Sequence, residues 1–369
     1  MQSCAFIEER IKKLGNLIRK RVHVFSSEYV HLHRNTRPDP HSADMLQSLF
    51  SHLAKEPLHQ YPDLTRLYTR LREWLGLPTD CFLLTQGVDD GIRTVFEAFS
   101  SPGKAVGCLQ PSYLMYSIYA KAYDIPVRSI VPRYQGSAFV IEVQDVQKTL
   151  SEGLDILFIP NPNEPIETCF TFGEINFIIE DAAQYGTLVI VDEAYAQFGA
   201  DSVIGLVEKH ENLIVARSFS KWFGLPAIRL GYLAANSNLI KALHAHRPAY
   251  ETNALSMATA LWALDNLSYF ENYAAEVEKT RQWLHEQLKK IGVSSHGDHS
   301  NAISISLSNA NEAKDVASFL KAKGILVRDS LPPPGEHFIG VTVGSKTVMA
   351  NFLAVFREAL VDSDPKYNI

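Results

Sequence analysis

No stretch of the 369-residue chain approaches the ~18 consecutive apolar residues that a membrane-spanning helix needs. The N-terminus, MQSCAFIEERIKKLGNLIRKR, is charged and amphipathic and lacks the apolar segment of a secretory signal, so the expected compartment is the cytoplasm. Cysteine is scarce: Cys4, Cys81, Cys108 and Cys169 lie far apart with no CxxC pair, which argues against a disulfide framework and against a zinc site. An excess of basic charge is also missing. With 41 acidic against 35 basic side chains the net charge is -6, the wrong sign for a nucleic-acid partner. There is no internal repeat and no low-complexity tract. What remains, 46% hydrophobic and 21% charged residues, is the composition of a soluble globular protein, long enough for one large domain and a smaller one.

Phe6, Ile7, Ile11, Leu14 and Ile18 recur at helical spacing and predict an N-terminal amphipathic helix. After the proline-broken loop NTRPDPHS (35–42), short apolar runs alternate with longer amphipathic segments. Strands are predicted at CFLLT (81–85), AVGCL (105–109), ILFIP (156–160), TLVIVD (187–192) and LIVARS (213–218), with helices between them, as at 89–99 and 172–186. Strands apolar on both faces and separated by helices read as a parallel sheet covered on both sides. Beyond about residue 236 the pattern changes. A long helix over 268–292 leads to AISISLS (302–308), a helix at 311–323, ILVR (325–328), FIGVTVG (338–344) and a last helix near 346–361, a smaller α+β domain with a mainly antiparallel sheet. The expected division is an N-terminal helix or arm over 1–34, a large domain over 35–245 and a small domain over 246–369.

Ligands of an open parallel sheet bind beyond the carboxyl ends of its strands, and several unusual segments fall there. TQGVDDGI (85–92) opens a helix, with Gly87 permitting close backbone approach and the amides of Val88 and Asp89 directed at an anion. Asp192 ends an apolar strand, where a carboxylate needs a partner. Lys221 follows the next strand, flanked by Ser218 and Ser220, with Arg229 eight residues on. Each has an ordinary explanation alone: a glycine turn, a helix cap, a solvated lysine. Together they supply a phosphate cup, a nucleophilic amine and a buried acid. Pyridoxal 5'-phosphate requires all three: a lysine for its Schiff base, an acid partner for its ring nitrogen and an anion site for its phosphate. Lys221 is the expected Schiff-base lysine.

SFSKWFGLPAIRLGY (218–232) resembles the S-x-S-K-x-x-x-x-x-x-x-R-x-G signature of fold type I aminotransferases, and is most similar to that of histidinol-phosphate aminotransferases. The likeness continues in register through QYPD (60–63), TQGVDDGI, PSYLMY (111–116), NPNEP (161–165), VDEAYAQF (191–198), RPAYETN (247–253), ILVRD (325–329) and VTVGS (341–345). It implies an α/β fold of type I, with a mainly parallel seven-stranded sheet in the large domain beside the smaller α+β domain. It also implies a homodimer with shared active sites, an N-terminal arm packed on the small domain or the partner subunit, and a small-molecule amino or keto substrate. Tyr61 would reach across the dimer to the other subunit's cofactor phosphate. Gly87, Val88, Asp89, Ser218, Ser220 and Arg229 would hold the phosphate, and Tyr113 would stack on the pyridine ring. Asp192 would pair with the ring nitrogen and Tyr195 would bond the phenolic oxygen. Arg328 matches the arginine that meets a substrate's distal phosphate.

Three positions depart from the family pattern. Glu164 replaces an asparagine of N-P-N-N-P-T-G that donates to the cofactor's phenolic oxygen; a carboxylate donates only when protonated, so Glu164 turns away, stays neutral or handles a substrate amine. Gly340 stands where the arginine of L-R-I-T-V-G-T would fork onto a substrate α-carboxylate. Arg37 replaces the second asparagine of N-E-N-P and is a candidate to take over as anion anchor. The expected activity is therefore transamination of a small substrate, phosphorylated by the Arg328 match, in a specialised biosynthetic pathway. A decarboxylase resembling threonine-phosphate decarboxylase is the alternative, and a non-catalytic aminotransferase-like binding protein a third class.

Overall fold

In the computed structural model the described residues are 5–15, 28–136, 138–329 and 331–363. Fourteen strands follow in chain order: β1 (Val30–Leu32), β2 (Phe82–Thr85), β3 (Ala105–Leu109), β4 (Val127–Ile130), β5 (Arg133–Tyr134), β6 (Phe139–Val140), β7 (Leu154–Pro160), β8 (Leu188–Asp192), β9 (Leu213–Ser218), β10 (Gly231–Ala235), β11 (Ser295–His296), β12 (Ala302–Ser306), β13 (Ile325–Val327) and β14 (Phe338–Thr342). Seven of them form one sheet in the order β2-β10-β9-β8-β7-β3-β4. It is mainly parallel; β10 alone runs antiparallel to both its neighbours.

The apolar runs are explained by two buried faces. Along β7, Leu154, Leu157 and Ile159 enter one core while Ile156 and Phe158 enter the other. Along β8, Val189 and Val191 alternate with Leu188 and Ile190 in the same way. Period-two geometry sends neighbours to opposite faces, so a sheet covered on both sides needs apolar residues at every position.

Register places the strand ends side by side. Pro160 lies opposite Asp192, Asp192 opposite Ala216, and Gly231 faces both Ser218 and Thr85. At Gly231 a Cβ would sit 2.7 Å from the Arg217 carbonyl oxygen and 3.1 Å from the Val88 nitrogen, so glycine alone lets β10 run beneath the start of the helix Gly87–Phe99.

The C-terminal part holds a three-stranded antiparallel sheet, β11-β12-β14, backed by the helices Leu267–Lys290, Ala310–Ala322 and Lys346–Ser363. Two findings differ from the sequence-based reading. Within the ILVR segment β13 pairs in parallel with β1, and only Arg328 bridges to β14, at Gly340, which apolar patterning over three residues could not announce. β4 and β10 were also unread, because β4 is half exposed and β10 follows the Lys221 loop with no intervening helix. Of the N-terminal amphipathic helix, Ala5–Gly15 is helical, and Ile18 lies outside the described residues. No helix among the described residues is long and apolar enough to cross a membrane.

Candidate active site

The loops beyond the carboxyl edge of the large sheet bring most of the sequence-predicted residues together. Gly87 has φ +76°, a left-handed conformation, and a Cβ there would lie 2.9 Å from Arg229 Nη2. The helix it opens has no side-chain cap, and Arg229 lies beside its first residue. Arg229 Nη2 is 3.4 Å from Asp89 Oδ2, and the phenol of Tyr113 donates to the Asp89 Oδ1. On the facing loop Ser218 Oγ accepts from the Ser220 amide at 3.0 Å. The hydroxyls of Thr85 and Ser112, both buried at this edge, have no protein partner. Amides, hydroxyls and a guanidinium with unspent hydrogen bonds fit a phosphate.

Asp192 is buried at the end of β8, accepting from the Tyr116 hydroxyl at 2.7 Å and the Ala194 amide at 3.0 Å. Burial pushes its carboxyl up to about 6, against the pull of those two donors. A carboxylate held there at such cost fits a cationic ring nitrogen. Tyr116, a buried core residue with no role assigned from sequence, thus touches the site through its hydroxyl. The adjacent Glu193 points through the opposite face, bound by Arg217 Nη2 at 2.7 Å and Ser202 Oγ at 2.8 Å.

Lys221 is partly buried, its Nζ donating to the carbonyls of Asn35 (3.1 Å) and Arg34 (3.2 Å) and lying 5.3 Å from the Tyr195 ring centre. Burial, then the Arg328 guanidinium, lower its amine from 10.5 to about 8. The Tyr195 phenol is pushed up by burial and by Glu164, and its oxygen accepts from Asn35 Nδ2 at 3.3 Å. Asn35 was not anticipated: it is buried, and Asn301 Nδ2 also donates to its carbonyl at 3.2 Å.

The departures from the family pattern are placed as follows. Glu164 accepts from Ser300 Oγ at 2.6 Å; burial raises its carboxyl and Arg328 opposes that rise. Gly340 and Arg328 face one another as an antiparallel bridge, each amide donating to the other's carbonyl at 2.9 Å. The Arg37 guanidinium lies over the Tyr273 ring, 3.6 Å from its centre, and its Nε donates to the Asp39 carbonyl at 3.1 Å. Tyr61 is apart from these residues, 77% exposed and stacked on Tyr250 with ring centres 4.2 Å apart. With Gln86, Arg229 and Asn253 both line a cleft of about 840 Å³.

The family profile "Aminotransferase class I and II" matches residues 24–356. The chain belongs to the class I and II aminotransferases. Histidinol-phosphate aminotransferase from Thermoanaerobacter sp. (strain X514) is 32% identical over 350 residues, covering 90% of this chain and 95% of the relative. Among solved structures, histidinol-phosphate aminotransferase from Sinorhizobium meliloti in complex with pyridoxal 5'-phosphate superposes with a TM-score of 0.82 at 17% identity, over 97% of this chain and 95% of that one. L-threonine-O-3-phosphate decarboxylase from Porphyromonas gingivalis shares the fold with a TM-score of 0.73 at 20% identity, over 90% and 99% of the two chains. This aminotransferase is a pyridoxal 5'-phosphate enzyme of the histidinol-phosphate aminotransferase-like kind.

Proposed function

We propose that this aminotransferase moves an amino group between small amino and keto substrates, one bearing a phosphate or comparable anion, in a specialised biosynthetic pathway. The observation that carries the reading is the convergence of Lys221, Asp192 and the Gly87–Arg229 cup at one sheet edge, with Arg328 close enough to depress the Lys221 amine. Lys221 is the covalent cofactor lysine in this reading. Gly87, Val88, Asp89, Ser218, Ser220 and Arg229 hold the cofactor phosphate, with Tyr61 supplied to it from the partner of a cytoplasmic homodimer. Tyr113 flanks the ring, Asp192 holds its nitrogen protonated and Tyr195 bonds its phenolic oxygen. The site lies where a large domain over 35–245 meets a small one over 246–369, with residues 1–34 as an arm.

Bound there, the cofactor supplies a carbonyl that condenses with amines and a ring that delocalises the electrons left when a Cα proton departs. The chain does the rest. Burial and Arg328 lower the Lys221 amine to about 8, so that in its uncharged form it would be able to take the proton from the amine-bearing carbon and return it. The carbonyls of Arg34 and Asn35 aim that amine. Arg328 binds the substrate anion and fixes which bond faces Lys221.

A single-turnover assay over a panel of amines tests this. Keto product with an amine-loaded cofactor is the expected result. Release of carbon dioxide would favour the decarboxylase instead, and Lys221→Ala should retain no cofactor fixable by borohydride. Covalent cofactor persisting in that variant would move the linkage elsewhere.

A further inference from the structure

We propose that Tyr116 is a positioning residue of the reaction: its hydroxyl orients Asp192 and keeps that carboxyl ionised, so that the cofactor's ring nitrogen, and not Asp192, carries the proton. The inference rests on the reading that Asp192 meets the ring nitrogen. Tyr116 lies on the helix Met115–Ala122 with its ring fully buried. The ring stacks on Phe158 of β7 at 4.8 Å between centres and stands edge-on to Tyr113 at 5.9 Å. Phe158 in turn stacks on Phe96 at 5.4 Å, so the slot is closed on that side. A phenylalanine would fill it equally well, and packing therefore does not call for the hydroxyl. A buried hydroxyl is costly unless bonded, and this one donates to Asp192 Oδ2 at 2.7 Å.

Asp192 has little freedom of its own. Its carbonyl accepts from the Asn161 amide at 2.9 Å, which pins the end of β8, and the Ala194 amide donates to its Oδ1 at 3.0 Å. With Tyr116 on Oδ2, each carboxyl oxygen has one fixed donor, and the two donors set the plane of the group. A carboxylate has about four acceptor positions, so each oxygen keeps one for a further donor. Both bonds favour the ionised form, and they act against burial and against the nearby carboxylates of Asp89 and Glu193. Those two have partners of their own: Asp89 accepts from Tyr113, and Glu193 is bound by Arg217. The Lys221 amine, when protonated, favours the Asp192 charge through space, and the Tyr195 phenol lies near enough to feel it. The Ala194 amide is main chain and would be present whatever the side chains. Tyr116 is the side chain through which the sequence sets the balance.

Tyr116→Phe removes the hydroxyl and keeps the ring. The probe is pyridoxal 5'-phosphate with an isotope-labelled ring nitrogen, whose chemical shift reports whether that nitrogen carries a proton. The wild-type holoenzyme is expected to show a protonated nitrogen. In Tyr116→Phe the signal should move toward the unprotonated value as the proton passes to Asp192, with kcat lower by about tenfold or more and KM little changed. In an Asp192→Asn background the same change should cost less than about twofold further, because the hydroxyl has no carboxylate left to act on. An unchanged nitrogen signal in Tyr116→Phe, or the same loss with and without the Asp192 carboxylate, overturns the proposal and leaves Tyr116 as packing. If the Phe variant misfolds, the Tyr116 hydroxyl proton of the wild type serves instead. It should give a slowly exchanging, far-downfield resonance that Asp192→Asn removes, and its persistence there would overturn the proposal. A ring nitrogen indifferent to Asp192→Asn refutes the Asp192 reading and the proposal with it. A silent Tyr116→Phe beside a responsive Asp192→Asn refutes the proposal alone.

Discussion

Gly340→Arg introduces the arginine that the resemblance implies for this position. The backbone tolerates it, since Gly340 is not among the glycines with left-handed φ. Its cost comes from Arg328, directly opposite in the bridge, whose Cβ would lie 3.3 Å from the new Cβ and must yield by a few tenths of an ångström. Two guanidinium groups leaving adjacent bridge positions end ~7 Å apart, a repulsion of about 2 kcal/mol at an effective dielectric near 20. Partial exposure of Arg328 and ordinary salt reduce this to about 1 kcal/mol. Against it stands a new charge-assisted contact for an α-carboxylate, about 1.5–3 kcal/mol, or roughly 10- to 150-fold in affinity. The variant should therefore unfold at lower denaturant, recover part of that loss in high salt, and react faster with glutamate in single turnover. Its reaction with the native substrate should be impaired by the side chain filling the space beside Arg328. Unchanged stability at low salt together with no gain for glutamate would refute the placement of Gly340 in the substrate pocket. Efficient transamination of histidinol phosphate by the wild type would refute the assignment to a specialised pathway.

Arg328→Ala should weaken binding of an anionic substrate by about 10- to 150-fold, the worth of one charge-assisted contact, as read by titration of the holoenzyme with phosphoethanolamine. Asp192→Asn should retain cofactor yet lower turnover by orders of magnitude, because the ring nitrogen loses its anionic partner; undiminished turnover would reduce Asp192 to a structural acceptor. The rate at which cofactor-free enzyme captures pyridoxal phosphate should rise as pH passes through about 8, because the Lys221 amine attacks only when deprotonated. Removing Arg328 takes away a cation that disfavours the charged amine, so the same profile should move to higher pH; a midpoint near 10.5 in the wild type would contradict the burial of Lys221.

Local chemistry was enough to read five of the seven strands of the large sheet and to single out Gly87, Ser218, Ser220, Lys221 and Arg229 at its carboxyl edge. Strands buried on both faces must be apolar throughout, a turn at positive φ before a helix asks for glycine, and Lys221, Ser218, Ser220 and Arg229 lie within twelve residues of one another. Short-range constraints of this kind leave their mark in neighbouring letters. The substrate side is different, because each decisive contact joins segments far apart in the chain. The Tyr116 hydroxyl lies on Asp192 and the Arg37 guanidinium over the Tyr273 ring, and neither contact can be read from spacing. Glu164 had three readings open, and its bond to Ser300 oriented it. The pairing of β13 with β1 and the bridge between Arg328 and Gly340 fix where the Arg328 backbone runs. Composition and motif state which charges the chain carries. Only packing decides where a flexible side chain's charge ends, since that depends on partners that the folded chain alone brings within reach.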